Sequence, residues 1–170
     1  MSSRSERFDP YVILAALERR RVSYVLIGGF ARILQGTEET TQGLDLCPSL
    51  RVENVRRLAI AFEDLDAHVP DGTRPALERD LSSYPPVLEL RTDAGELKLV
   101  PEPAGTRGYD DLRRAATREP IGRGLRPSVA SIGDLARMAA ALGREQDVEP
   151  LRQLRYLREL ERSLVRGIER

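Results

Sequence analysis

Residues near the start of the chain have the types and the spacing needed to hold a phosphate-bearing ligand. Gly28 and Gly29 lie between a predicted strand and a predicted helix, where backbone amides could approach a phosphate without an intervening side chain. Thr40 and Thr41 follow in a polar loop, and Asp45 could help to hold a metal ion. A Gly-Gly pair at a strand-to-helix junction is more often only a tight turn. Its value therefore depends on the motif that surrounds it.

The segment 24–46 resembles the active-site signature of the minimal nucleotidyltransferases, whose fold is that of the polymerase β superfamily. In that family a Gly-Gly or Gly-Ser pair precedes a short helix ending in Gly and then the pattern Thr-x-Asp-hydrophobic-Asp. Gly36 matches the end of the helix and Asp45 matches the second Asp, but Gly43 stands at the first. The resemblance implies an α/β (α+β) fold: a mixed sheet flanked by helices, with a helical C-terminal part. In intact members, metal ions held by the Asp residues carry the nucleoside triphosphate.

The resemblance continues along most of the chain. Residues 95–101 and 109–112 are similar to the strand of the third carboxylate and the helix after it, and Lys98 stands at the carboxylate position. Residues 131–147 are similar to the toxin-like MenT and AbiEii type, in which a catalytic lysine precedes Gly-Arg-x-x-Asp; Ala139 stands at that lysine. In such relatives, Mg-dependent transfer onto tRNA or protein is restrained by a cognate antitoxin. The resemblance thus implies the same toxin-antitoxin relationship here.

The missing carboxylates predict a degenerate, metal-free site, because two divalent ions cannot be held on one carboxylate. We expect Asp45 and Lys98 to lie on neighbouring strands and to form an ion pair; the alternative is a lysine that faces solvent. The predicted site residues are Asp45 and Lys98 at the catalytic positions, Gly28, Gly29, Thr40, Thr41 and Arg144 for a nucleotide, and Asp45 for a metal if the site is active. The predicted function is binding of a nucleotide, an RNA or a partner protein.

An active transferase with displaced ligands is the alternative function. Glu96 lies two residues before Lys98 on the same strand face, and Glu38 and Glu39 precede the second strand. Each could reach a metal, although each is more readily explained as a surface acid. No cofactor is expected in the degenerate site, and Mg with a nucleoside triphosphate is expected in an active one.

Two features of the C-terminal part leave alternatives open. Arg144 and Asp147 could form a local pair or, through Arg144, contact a phosphate. The last helix carries a leucine stripe that could pack on the sheet or on another chain. Beside the stripe runs a row of arginines, which could follow RNA or an acidic partner. Intervening glutamates favour an ordinary solvated face.

The composition supports one domain and gives the chain no overall electrostatic attraction to nucleic acid or to a membrane. The chain has 170 residues, with acidic and basic residues balanced at 27 each. Its single cysteine excludes an intrachain disulfide framework, and neither a signal peptide nor a membrane span is predicted. A cytoplasmic protein is the simplest expectation.

The pattern of apolar residues predicts the elements that must position this site. Helices are predicted at Asp9–Arg20, Phe30–Leu34, Val52–Leu65 behind a Ser49 cap, Tyr109–Ala116, Ile132–Leu142 behind a Ser131 cap, and Glu149–Gly167. Strands are predicted at Ser23–Ile27, Leu44–Cys47 and Ala67–Val69, with a hairpin at 86–92 and 95–100. The predicted division is a nucleotidyltransferase-fold domain at 1–125 and a helical part packed on it at 126–170.

Overall fold

The computed structural model describes residues 7–77 and 85–168, and in that part of the chain it has six helices and six strands. The helices are α1 (Pro10–Arg19), α2 (Gly28–Gln35), α3 (Val52–Asp64), α4 (Tyr109–Leu112), α5 (Ile132–Leu142) and α6 (Val148–Ile168). The strands are β1 (Tyr24–Ile27), β2 (Gly43–Pro48), β3 (Leu88–Thr92), β4 (Gly95–Leu99), β5 (Thr117–Arg118) and β6 (Ser128–Val129). A short 3-10 turn, Glu145–Asp147, precedes α6.

The strands form one mixed sheet in the order β3-β4-β2-β1-β6-β5. Strand β2 is antiparallel to β1 and parallel to β4, while β1 is parallel to β6. This register places Asp45 opposite Ile27 on one side and opposite Lys98 on the other. The predicted α/β class is confirmed, and β2 carries Asp45 into the middle of the sheet.

Two helix starts follow directly from the sequence. The Asp9 carboxylate accepts hydrogen bonds from the amides of Tyr11 (3.0 Å) and Val12 (3.4 Å), and Pro10 occupies the first turn of α1. The Ser131 hydroxyl accepts a hydrogen bond from the amide of Asp134 (3.0 Å) at the start of α5. Both predicted caps are confirmed because each depends only on neighbouring residues.

The predicted Ser49 cap of α3 and the strand at residues 67–69 are wrong. Arg51 takes the cap position of α3 without a side-chain hydrogen bond, since Ser49 lies two residues too early. His68 makes only an isolated bridge to Arg91, because the chain turns away from the sheet immediately after it.

The predicted helix at residues 109–116 is also too long, because α4 ends at Leu112 and the chain then enters β5. Strands β5 and β6 were not predicted from the sequence. They have only two residues each, too few to show an alternation of apolar and polar side chains.

Helix α6 is only partly packed on the body. Leu154 is buried and Leu151 and Leu157 are half-buried, whereas Leu164 and Ile168 are 70% and 85% exposed. The predicted stripe therefore contacts the core only in the first half of the helix. Within residues 7–77 and 85–168, no helix combines the length and the apolar character needed to cross a membrane. The division of the chain at residue 125 stays a prediction.

A buried asparagine ties α3 to the strands that carry the site. The Asn54 side chain accepts a hydrogen bond from the Ser23 amide (2.6 Å) and donates to the carbonyl oxygens of Ser23 (2.9 Å) and Ser49 (2.8 Å). These backbone groups flank β1 and β2, and Asn54 is only 5% exposed. It satisfies polar groups that have little access to water.

Strands β2 and β4 approach one another unusually closely at Gly43. A Cβ atom at this position would lie 2.2 Å from the Glu96 carbonyl oxygen and 2.7 Å from its carbonyl carbon. Because these contacts are with backbone, a side chain cannot be accommodated by a rotamer change. The glycine is therefore required by the packing of the sheet.

Replacing Asn54 by Ala should lower the free energy of unfolding by roughly 2–4 kcal/mol, because three backbone groups of Ser23 and Ser49 each lose a hydrogen bond. The exposed Arg57→Ala variant on the same helix should change it by less than about 0.5 kcal/mol. Urea unfolding measures both, and equal effects of the two substitutions would contradict the bridging role.

Gly43→Ala should lower the free energy of unfolding by roughly 1–3 kcal/mol, since the new methyl group forces β2 and β4 apart. Gly167→Ala is the matched control: apart from α6 itself, no atom of the described residues lies within 4 Å of a Cβ added there. That substitution should stabilise by roughly 0.5–1 kcal/mol. A Gly43→Ala protein as stable as the natural one would disprove the contact.

Candidate functional site

The carboxylate of Asp45 lies directly against the backbone of Gly28. Gly28 has φ +72°, and a Cβ atom added to it would be 2.1 Å from Asp45 Oδ2. Glycine is needed here both for the left-handed backbone and for the space that the carboxylate fills. Gly29 is less confined, because an added Cβ would meet Glu39 Oε1 at 3.4 Å and Thr41 at 3.6 Å. The two glycines thus border the carboxylate and the polar loop, respectively.

Lys98 is brought beside Asp45 by the parallel pairing of β2 and β4, as the sequence predicted. The two side chains nevertheless make no hydrogen bond and no ion pair within 4.0 Å among the described residues. The predicted direct contact is therefore wrong. The lysine is half-buried rather than free in solvent, so its positive charge acts on Asp45 across the cleft.

Burial raises the pKa of the Asp45 carboxyl above its ordinary value. The positive charges of Lys98, Arg32 and Arg144 oppose this rise in the pKa, in that order of size, and Glu96 adds to it. No described residue donates a hydrogen bond to the carboxylate. Asp45 thus has acceptor capacity that a ligand could use.

A network of charged side chains, most of them buried, lines one wall of the cleft. Arg32 binds Glu39 through two nitrogens (2.8 and 3.0 Å), and Thr37 donates to the same carboxylate (2.7 Å). Arg32 also lies 3.7 Å from Asp147, which accepts from Arg144 Nε at 2.7 Å. Arg32 is 9% exposed and Asp147 is 2% exposed. This network of charged side chains connects α2, the loop before β2 and the turn before α6.

This network bears on one alternative that the sequence left open, the role of Arg144. The local Arg144–Asp147 pair is confirmed, which leaves Arg144 exposed at the cleft but already bonded through Nε. Arg32 was missed by the sequence analysis. The available signal was a single arginine among apolar residues in a short amphipathic helix, Gly-Gly-Phe-Ala-Arg-Ile-Leu.

A polar cavity of about 650 Å³ opens above Asp45. It is lined by the two glycines, Thr40, Thr41 and nine charged residues. The acids are Glu38, Glu39, Asp45, Glu96, Asp147 and Glu149, and the bases are Arg32, Lys98 and Arg144. The structure therefore brings together all of the predicted site residues. Acids outnumber bases among these residues, which disfavours a polyphosphate that arrives without a metal.

A second, more apolar cavity of about 440 Å³ shares Asp45, Lys98 and Arg144 with the first. We call it the apolar cavity. Its walls are mostly α5 and the β3–β4 hairpin, with Val87, Val100, Leu135, Met138, Ala139 and Leu142 among the lining residues. Ala139, at the position of the lysine of the toxin-like relatives, thus contributes to an apolar wall. Asp45 and Lys98 stand at the junction of the two cavities.

The described residues do not assemble a metal site. No group of three or more His, Cys, Asp or Glu residues within 7–77 and 85–168 is placed to hold an ion. Glu39 is bonded to Arg32 and Thr37, so it is not available as a displaced ligand. Glu96 is exposed on β4 and is the remaining acid closest in register to Asp45. The donor set present therefore does not fit two Mg²⁺ ions.

No family model and no curated protein sequence matches the chain. Its structure is similar to solved structures at low sequence identity. The lincosamide antibiotic adenylyltransferase LnuA, solved with lincomycin, superposes with a TM-score of 0.60 at 15% identity over 89% of this chain and 99% of that one. The antibiotic-resistance factor ANT(2'')-Ia gives 0.56 at 16% identity over 94% and 92%. A protein from Thermotoga maritima assigned to the nucleotidyltransferases gives 0.54 at 17% identity over 86% and 89%. The chain therefore has the nucleotidyltransferase fold.

Proposed function

We propose that this protein is a nucleotidyltransferase-fold binding protein that holds a nucleoside monophosphate without a metal ion and does not transfer it. The observation that carries the proposal is the backbone contact at Gly43, where the fold would need its first carboxylate. If only the side chain had been lost, the space for a carboxylate at position 43 would remain. Here the backbone of the neighbouring strand, β4, occupies that space.

Lys98 supports the same conclusion through charge. Its ammonium group acts on Asp45 more strongly than any other positive charge in the site. A divalent cation beside Asp45 would have to approach this ammonium, and the two would repel one another in a partly buried cleft. The lysine therefore supplies one fixed positive charge in place of a removable metal.

The charge balance indicates the kind of ligand. Half of the six acids in the polar cavity are bonded: Glu39 and Asp147 to arginines within the network, and Glu149 to Arg152 at 2.9 Å. The Lys98 side chain makes no hydrogen bond among the described residues. One phosphate group could accept from Lys98 and from the remaining nitrogens of Arg144. A triphosphate would place further negative charge against unpaired acids.

The apolar cavity provides for the rest of such a ligand. Its side chains Val87, Met138 and Leu142 could pack on a planar base, while Asp45 accepts a hydrogen bond from a base or ribose donor. Gly28, Gly29, Thr40 and Thr41 would then contact the phosphate or ribose from the opposite wall. These roles rest on the cavity linings and on the unused hydrogen-bonding capacity of Asp45 and Lys98.

The active transferase remains the second candidate because Glu96 lies two residues before Lys98, the strand partner of Asp45. Asp45 and Glu96 could together hold a single Mg²⁺ and bring in a nucleoside triphosphate. This candidate requires the metal, whereas the binding protein does not. A tRNA acceptor, an antitoxin-like partner and the toxin-like branch of the fold stay predictions from the sequence resemblance.

The first test measures binding of the four ribonucleoside monophosphates and of ATP by calorimetry, with EDTA and with Mg. We expect one monophosphate to bind equally in both conditions and more tightly than ATP. Lys98→Ala should weaken it about tenfold through loss of the phosphate contact, and Leu142→Asp should weaken it by adding charge to the apolar wall. Arg56→Ala, an exposed base outside the cleft, is the control.

A parallel incubation with labelled nucleoside triphosphates, Mg and total tRNA addresses the alternative. Label transfer by the natural protein, or binding that requires Mg, would overturn the proposal. Lys98→Asp is the informative gain-of-function variant. Adding Gly43→Asp should instead destabilise the sheet, because its Cβ meets the Glu96 backbone.

The charge on Asp45 should lower stability at neutral pH. Since the pKa of Asp45 is raised in the folded protein, the folded state holds a proton that the unfolded chain has already released. The proton bound to Asp45 stabilises the folded protein at pH values below the ordinary aspartate pKa of about 3.9. This stabilisation is lost as the pH rises through the raised pKa of Asp45. We therefore expect Asp45→Asn to gain stability relative to the natural protein as the pH increases from about 4 to 7.

Urea unfolding at a series of pH values measures this difference. Lys98→Met, which removes the largest opposing charge, should raise the pKa further and steepen the decline in the stability of the protein. A constant stability difference between the natural protein and Asp45→Asn across this range would contradict the raised pKa.

A further inference from the structure

A third cavity lies at the opposite end of β1 from the cleft. Its volume is about 490 Å³, and it opens between the end of α1, the start of β1, α4 and the β5–β6 hairpin. Four arginines line it: Arg21, Arg113, Arg118 and Arg126. We call it the basic pocket. The strand separates it from Gly28 by four residues, or roughly 13 Å.

The positive charge of the basic pocket is largely uncompensated. Glu18 is the only carboxylate among the residues that line it, against four guanidinium groups. The side chains of Arg21 and Arg126 make no hydrogen bond or ion pair within the described part of the chain. Arg113 pairs with Asp110 at 3.2 Å, but both side chains are more than half exposed. Such a surface pair contributes little and can be exchanged for another anion.

The wall of the pocket also contains polar groups other than the free guanidinium groups. Arg118 Nε donates to the Arg126 carbonyl oxygen at 3.0 Å, which fixes one guanidinium group at the rim. Tyr24 and Tyr109 are half-buried in the wall. Burial, followed by the charge of Glu18, raises the pKa of the Tyr24 phenol, so the hydroxyl stays protonated and can donate.

Arg21 occupies a backbone conformation that favours glycine. Its φ is 55°, at the position that follows the end of α1. A glycine there would fit without the steric cost of a Cβ, and arginine is therefore not explained by the local fold. The side chain it contributes to the basic pocket gives it a role that glycine could not fill.

We propose that the basic pocket binds an anion carrying two or more adjacent phosphate groups, at a site separate from the nucleotidyltransferase cleft. Guanidinium groups match phosphate oxygens with paired hydrogen bonds, and several of them around one cavity favour a multiply charged ligand over a single phosphate. The phosphates could belong to a compact polyphosphate or to consecutive nucleotides of an RNA strand. Both sources have the chemistry that the four arginines recognise.

Calorimetry with inorganic tripolyphosphate in EDTA tests this proposal on the whole protein. We expect binding that weakens with added salt and falls about tenfold in Arg126→Ala and in Arg21→Gly. Arg21→Gly should at the same time raise the thermal unfolding midpoint, because glycine relieves the backbone at φ 55°. Loss of binding in a more stable protein separates a ligand-binding role from a structural one.

Two controls keep this site distinct from the cleft. Lys98→Ala should leave tripolyphosphate binding unchanged, and so should the remote Arg56→Ala. Absence of binding, or binding lost in Lys98→Ala but retained in Arg126→Ala, would overturn the proposal. Failure of the cleft to bind a monophosphate would leave the result for the basic pocket unaffected.

Competition with a ten-nucleotide single-stranded RNA identifies the source of the phosphates. Displacement of tripolyphosphate by the RNA at lower concentration, with a steeper salt dependence, supports a nucleic-acid strand as the ligand. Tripolyphosphate binding that the RNA does not displace supports a compact ligand. In both cases the arginine variants must reduce the binding, and binding that they leave intact would contradict the site.

Discussion

The close packing of β2 between β1 and β4 is the constraint on which the rest of the site depends. On one side the Asp45 carboxylate fills the space over Gly28, and on the other Gly43 lies against the carbonyl group of Glu96. Both contacts exclude a Cβ atom, so two glycines set how near the three strands can be. The same approach that brings Asp45 and Lys98 into one cleft also removes the space that a second carboxylate on β2 would need.

Buried charge has a cost, and this protein offsets it differently at the two places where it occurs in the cleft. Arg32 binds Glu39 and Arg144 binds Asp147 through short hydrogen bonds, and an ion pair of 3.7 Å between Arg32 and Asp147 joins the two pairs. Together they connect the loop before β2 with the turn before α6. Removing one member would leave its partner uncompensated. Asp45 has no such partner and is stabilised only by charges acting across the cleft. A ligand that donates a hydrogen bond to the Asp45 carboxylate would therefore supply an interaction that this group lacks.

The two ends of β1 differ in their electrostatics. At its C-terminal end, acids and bases are mixed, and four of the nine charged residues are bonded to one another. At its N-terminal end, four arginines surround one acid. A chain without net charge thus separates its charges locally, and for this reason the ligands proposed for the two cavities differ.

The sequence by itself determined the features that depend on neighbouring residues: the Asp9 and Ser131 caps and the β3–β4 hairpin. Its resemblance to the minimal nucleotidyltransferases implied the fold and the neighbouring strands of Asp45 and Lys98. The two-residue strands β5 and β6 could not be predicted from the sequence, because their pairing depends on distant partners and not on a local pattern of residues. The tertiary structure alone decided that Gly43 is required by a backbone contact, that Arg32 is buried in an ion network, and that Lys98 does not touch Asp45. It also brought together the arginines of the basic pocket from four separate parts of the chain. The physical reason is the same in each case: distances between atoms far apart in sequence are set by packing, and residue types and spacing do not specify them.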